Sequence, residues 1–170
     1  MKQVYDQEKH YRRSIRLKEY DYSQTGAYFV TVCVQDRKFL FGDIIDGTMQ
    51  LNKYGQTAME CWGKIPRHFM DVTSDVFVVM PNHLHGIVVI VNDGRGMACH
   101  APTNRYFGKP IPNSLSTIIG SFKSAVTKYI NLSRNTSGAI VWQRNYYEHI
   151  IRNKNELNRI REYIINNPLR

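Results

Sequence analysis

The chain has 170 residues, 42% of them hydrophobic, with 23 basic against 14 acidic side chains for a formal charge of +9. That length suits a single domain over 1–170 whose core needs neither disulfides nor a structural metal, and the apolar content excludes disorder as the default. The positive excess favours a polyanionic partner, nucleic acid first, over a basic surface that merely aids solubility.

The N-terminal residues Met1 to Asp6 form neither a signal peptide nor a membrane anchor. Residues 1–20 read as a basic, partly aromatic arm. Within it Arg12, Arg13, Arg16 and Lys18 are candidate phosphate contacts, and Tyr11 is a candidate base-stacking ring. Ala27 to Val34 is rich in β-branched and aromatic residues and predicts a strand, with Cys33 as a core filler. Phe39 to Ile45 and Thr48 to Leu51 predict a hairpin turning at Asp46-Gly47. From Leu51, apolar residues at 54, 58, 61, 62 and 65 have helical spacing, and Pro66 marks the expected end.

Asp75 to Met80 predicts the next strand, Pro81-Asn82 a turn, and His83 to Val91 a partner strand. The apolar run from Gly86 to Val91 is far too short to span a bilayer. Residues 92–113 predict a long loop, in which Arg95, Arg105 and Lys109 are further candidate DNA contacts and Tyr106 a stacking ring. Cys99 and His100 lie there without a second ligand pair, so zinc is not expected. Three scattered cysteines without Cys-x-x-Cys read as reduced thiols of a cytoplasmic protein. Ser114 to Leu132 predicts a helix whose apolar stripe takes in Tyr129 as a core residue. Ala139 to Gln143 predicts a short strand, and Asn155 to Asn167 a last helix stopped by Pro168. Antiparallel strands mixed with helices predict an α+β fold, a ferredoxin-like sandwich with helices packed on an antiparallel sheet.

His83-Leu84-His85 stands out in this pattern. Two residues apart on a strand, the imidazoles share one face, roughly 6 to 7 Å apart at the backbone, close enough to converge on one metal ion. The plainer reading is a pair of hydrogen-bonded core histidines. Tyr163 and Asn167 are four apart on the last helix and share a side at the flank of its apolar stripe, Leu157, Ile160 and Ile164. On geometry alone, a half-buried packing tyrosine and a helix-end cap are the favoured reading.

His83-Leu84-His85, the segment from Trp142 to Asn153, and Glu162-Tyr163-Ile164-Ile165-Asn166-Asn167-Pro168 together resemble the REP-associated tyrosine transposases. These are single-tyrosine members of the HUH (His, hydrophobic, His) endonuclease superfamily. The resemblance runs from Arg13-Ser14-Ile15-Arg16-Leu17 to the Asn-Pro end, although family members usually continue past that motif, often through a tryptophan. It implies a ferredoxin-like domain that cuts and rejoins single-stranded DNA near hairpins through a 5′-phosphotyrosine intermediate. It puts the nucleophile on Tyr163 and the metal on His83, His85 and Asn167. Magnesium or manganese is the expected ion, since phosphoryl chemistry and abundance outweigh the preference of imidazoles for zinc.

Both histidines must be neutral to ligate, so cleavage is expected to fail below about pH 6. Candidate DNA contacts outside the arm and loop are Lys123, Arg144 and Arg152, while Tyr146 and Tyr147 are expected to pack or to touch DNA. Tyr129 is the runner-up nucleophile. Two other classes compete: a non-catalytic nucleic-acid-binding module, and a replication-initiator-like nickase. Monomer and homodimer both stay open.

Overall fold

The computed structural model describes residues 20–91 and 111–169. The elements are β1 (Gly26–Cys33), β2 (Gly42–Ile45), β3 (Thr48–Leu51), α1 (Lys53–Gly63), α2 (Ile65–His68), β4 (Val72–Met80), β5 (His83–Ile90), α3 (Leu115–Arg134), β6 (Tyr147–Ile151) and α4 (Lys154–Ile165). A four-stranded sheet has the order β4-β5-β1-β6 with every pair antiparallel, and β2 and β3 form a separate hairpin. Without that hairpin the chain runs β1-α1-β4-β5-α3-β6, with β1 central beside β5 and β6. This is the ferredoxin-like βαββαβ arrangement.

Local chemistry accounts for most element ends. Asp46 (φ 49°) and Gly47 (φ 70°) both take positive φ at the β2–β3 turn, the requirement of a two-residue hairpin loop. Asn52 caps α1 by accepting from the amides of Tyr54 and Gly55, Ser114 caps α3, and Asn153 caps α4.

The sheet has two covered faces of unequal size. On the first, Tyr28, Val30, Val32, Leu84, Val88 and Ile90 pack under α1 and α3, whose buried residues include Trp62, Ile118, Phe122 and Val126. On the second, Phe29 and Ile87 pack under Ile164 of α4, with Leu157, Ile160 and Tyr163 around them. Strand alternation sorts the residues: even positions of β1 and β5 face α1 and α3, odd positions face α4.

Three sequence expectations are corrected. Pro66 does not follow a helix end; it sits in the first turn of α2, where its missing amide hydrogen costs nothing. Residues 139–143 form no strand and touch the sheet only through a single bridge from Trp142 to Val34. The fourth strand is instead β6, whose polar positions hid it. Tyr129 is not core: it is 55% exposed on α3, because the buried stripe passes through Val126 and Ile130 beside it. Smaller differences are that β4 starts at Val72 rather than Asp75, with a register shift between Ser74 and Phe77, and that α4 ends at Ile165 rather than Asn167. Among the described residues no helix is long and apolar enough to cross a membrane.

Gly86 marks a tight contact on the first face. A Cβ there would collide with the indole of Trp62. Gly86→Ala is therefore expected to lower stability by about 1–3 kcal/mol through overpacking. The check is a thermal melt followed by tryptophan fluorescence, and an unchanged midpoint would show that the indole shifts freely.

Candidate active site

The register of β5 decides where the histidines point. His83 lies opposite Cys33 and Met80, and His85 opposite Thr31 and Val78, all on the second face. His85 is 6% exposed and His83 half-buried, so each ring needs polar partners. The Asn82 Oδ1 lies 2.6 Å from His83 Nδ1, and the Thr31 Oγ1 lies 2.8 Å from His85 Nδ1. The two Nε2 atoms face each other at 3.0 Å. A carbonyl oxygen accepts only, so His83 carries its proton on Nδ1 and turns a lone pair on Nε2 inward. His85 Nε2–H then donates to it, and the Thr31 hydroxyl donates to His85 Nδ1. Rotating that hydroxyl lets it accept instead, which frees both Nε2 lone pairs together.

Helix α4 brings the phenol to this pair. Ile164 is fully buried against the second face, and two polar pins hold the helix across the sheet. Glu156 near its start lies 2.8 Å from His149 of β6, and Arg161 bonds Asp75 of β4 through Nε at 3.0 Å and through Nη2. Between the pins and the helix end, the Tyr163 hydroxyl stands 3.3 Å from His85 Nε2. Phe29 forms the common floor. Its ring stacks on His85 with centroids 5.4 Å apart and meets Tyr163 edge-on at 6.0 Å and Tyr147 at 6.2 Å.

Burial controls the charge of the pair. The His85 imidazole is pushed down to about 3, first by desolvation and then by the neighbouring His83. His83 is lowered too, by desolvation and by Arg37. Both are neutral near pH 7, as ligation requires. The spacing also fits a cation. Two bonds of about 2.1 Å meeting at a right angle hold their nitrogens about 3.0 Å apart, whereas a tetrahedral angle asks for about 3.4 Å. Among the described residues, no group of three or more His, Cys, Asp or Glu gathers at one point. Among the described residues a third protein donor would be a neutral oxygen. Asn167 supplies a candidate: it is buried in the turn Asn167–Leu169 just beyond α4, and its carboxamide makes no hydrogen bond among the described residues. Because Asn166 already caps the helix, Asn167 does not continue the helical face of Tyr163.

The other sequence candidates lie elsewhere. Arg12, Arg13, Arg16, Lys18, Arg95, Arg105 and Lys109, with Tyr11, Tyr106, Cys99 and His100, fall outside the described residues. Lys123 bonds the backbone carbonyls of Gln143, Arg144 and Asn145, so its ammonium braces that segment. Arg144 is exposed beside it, and Arg152 is exposed at the β6–α4 junction. Tyr129 sits on α3, across the sheet from the histidines. Thr31, Asn82 and Phe29 were not foreseen. Asn82 adjoins His83 in the sequence, and Thr31 is the lone threonine in an apolar strand, so both left a faint signal.

No family model matches the chain. A protein of Haemophilus influenzae described only as uncharacterized is 44% identical over 164 residues, covering 94% of this chain and 89% of its own. The chain belongs to that protein's family. Among solved structures, a REP-associated tyrosine transposase bound to a REP hairpin superimposes with a TM-score of 0.61 at 19% identity, over 93% of this chain and 73% of the transposase. The resemblance read from three sequence motifs thus extends to the whole fold.

A buried neutral histidine makes stability depend on pH. Below about 6.5 an unfolded chain binds a proton that folded His85 refuses until about 3, so stability is complete above 6.5 and drains as pH falls through that window. In chelator, urea midpoints are expected to decline below pH 6.5, approaching about 1.4 kcal/mol per pH unit from this group. His85→Gln should flatten that slope, and a slope identical to wild type would place the acid sensitivity elsewhere.

Proposed function

We propose that the protein is a metal-dependent transposase that cleaves and rejoins single-stranded DNA near hairpins through a 5′-phosphotyrosine intermediate on Tyr163. The observation that carries this reading is the phenol oxygen 3.3 Å from His85 Nε2, itself 3.0 Å from His83 Nε2. A packing tyrosine has no reason to end beside two neutral imidazoles with converging ring nitrogens. The transposase sharing the fold is bound to a REP hairpin, which supports hairpin DNA as the substrate class here.

His83 and His85 would hold a divalent cation, with Asn167 as the third protein donor. Such an ion polarises the scissile phosphate and offsets charge building on its oxygens. Magnesium or manganese would suit the phosphoryl chemistry such an ion would supply. Thr31 and Asn82 fix the ring planes and the tautomers. Tyr163 attacks phosphorus in line, the bond to the 3′ oxygen breaks, and the departing strand keeps a 3′ hydroxyl. A phenol has a pKa near 10, so the proton must leave during attack rather than beforehand. One phosphoester bond is exchanged for another, so a 3′ hydroxyl can reverse the step and rejoin strands without an external energy source.

The test is incubation of the full chain with a labelled, hairpin-bearing single strand and manganese, followed by denaturing electrophoresis. Wild type is expected to yield a covalent adduct, chelator to abolish it, and Tyr163→Phe to lose it while still binding DNA. Thr31→Val should slow adduct formation by about 10–100-fold and raise the metal requirement, as loss of an orienting partner does. An adduct that survives in Tyr163→Phe sinks the assignment. Binding without any wild-type adduct would instead support a non-catalytic module. Because burial lowers both imidazoles, cleavage is expected to persist below the range of a free histidine before failing in acid.

A further inference from the structure

Helix α3 and the segment Gly138–Arg144 enclose a groove of about 570 Å³ on the side of the sheet away from Tyr163. Its lining includes Lys128, Arg144, Ser124 and Thr127, and no carboxylate. Lys128 and Arg144 are exposed, and neither forms an ion pair among the described residues. Surface cations in a mixed-charge protein usually have acids within a turn or a strand. Among the described residues that line the groove there is none. From Gly94 to Tyr147 the sequence contains seven basic residues and no aspartate or glutamate, so α3 is acid-free even in its first turn, where the helix dipole favours acids.

The groove is also built rather than incidental. Lys123 reaches from α3 to the carbonyls of Gln143, Arg144 and Asn145, and the Trp142 indole donates back to the carbonyl of Lys123. These bonds fix the wall from which Arg144 projects. The wall joins the sheet at its histidine end, since the Gln143 amide bonds the carbonyl of Cys33 and Cys33 pairs with His83. Two strand spacings, roughly 10 Å, separate Gln143 from His83 along the sheet. A polyanionic strand passing His83 can therefore turn around the sheet end into the groove.

We propose that this groove binds the phosphodiester backbone of the DNA flanking the scissile phosphate, with Lys128 and Arg144 as direct phosphate contacts and Lys123 as the residue that positions Arg144. The inference rests on the DNA substrate of the proposed function, but not on the tyrosine chemistry. It assigns Lys128 a role and moves Lys123 from contact to support.

The experiment measures equilibrium binding of the full chain by fluorescence anisotropy between 50 and 300 mM salt, values on the order of those where phosphate contacts dominate. The probes are a blunt hairpin and the same hairpin with a single-stranded flank. For Lys128→Ala/Arg144→Ala, the slope of log affinity against log salt is expected to fall by about 1.4 if the contacts are to single strand and about 1.8 if to duplex, with binding roughly ten-fold weaker near 0.15 M. Loss confined to the flanked probe assigns the groove to the flank; loss with both assigns it to the hairpin. Ser124→Glu, which adds a charge without removing a contact, should weaken binding in the same direction. Lys64→Ala/Arg67→Ala removes equal charge elsewhere and should leave the slope as in wild type. A wild-type slope in the groove variant, or an equal loss in the control pair, overturns the proposal. Failure of wild type to form an adduct would count against the nuclease reading alone, because the slope is read from binding.

Discussion

The docking of α4 on the second face of the sheet is the constraint on which the site depends. The ferredoxin-like order places α1 and α3 on one face and leaves the other bare, so any residue meant to meet odd positions of β5 must come from a further element. Helix α4 is that element. Its apolar anchor is small: Phe29, Ile87 and Ile164 are the buried members, against a first-face cluster that includes Trp62, Phe122 and several β-strand valines. Burial of one such side chain contributes about 1.5–3 kcal/mol, which leaves orientation to be settled by polar groups. Glu156, bonded to His149 of β6, and Arg161, bonded to Asp75 of β4, do that by pinning the helix to both edge strands. The Glu156 carboxylate also accepts the Arg152 amide, and those bonds hold its carboxyl below the usual range.

The site itself works against stability. Two imidazoles held beneath a helix give up hydration, and each recovers partners only because Thr31 and Asn82 present oxygens at the Nδ1 side. Apolar residues at 83 and 85 would continue the pattern of Ile87 and Val89 and would bury without that requirement. The geometry that results is directional: Nδ1 is occupied on both rings, and both Nε2 atoms turn toward each other and toward the phenol. Stability is given up for donor placement, which is the balance seen where side chains bind ions or react.

How much of this was legible in the sequence follows from period and contrast. His83 and His85 were visible because polar residues at a spacing of two interrupt an apolar strand, and alternation alone put them on one face. The Asp46-Gly47 turn was visible because only certain residues accept positive φ at both turn positions. β6 was not visible, because an edge strand carrying Tyr147, Glu148 and His149 lacks a continuous apolar face. The trimmed end of α4 was hidden as well: helical spacing joins Tyr163 to Asn167, but the cap at Asn166 ends the helix first. Lys123 read as surface charge, since nothing in a sequence tells that an ammonium will meet three carbonyls from a segment twenty residues on.

Under the proposed function the two faces would divide the work along physical lines. Chemistry on a phosphodiester would need neutral nitrogen ligands and a sheltered phenol, and burial together with Arg37 holds His83 neutral, but a denser local positive charge would repel a divalent cation from the pair. Holding a polyanion needs exposed cations in numbers. Placing both on one face would set the cations against the cation-binding pair. The sheet separates them: the acid-free surface of α3 lies on one side, the histidines and Tyr163 on the other, with only the strand end near Cys33 and His83 connecting them. A fold that covers one face with acid-free helix and the other with a pinned terminal helix meets both demands with one layer of strands between them.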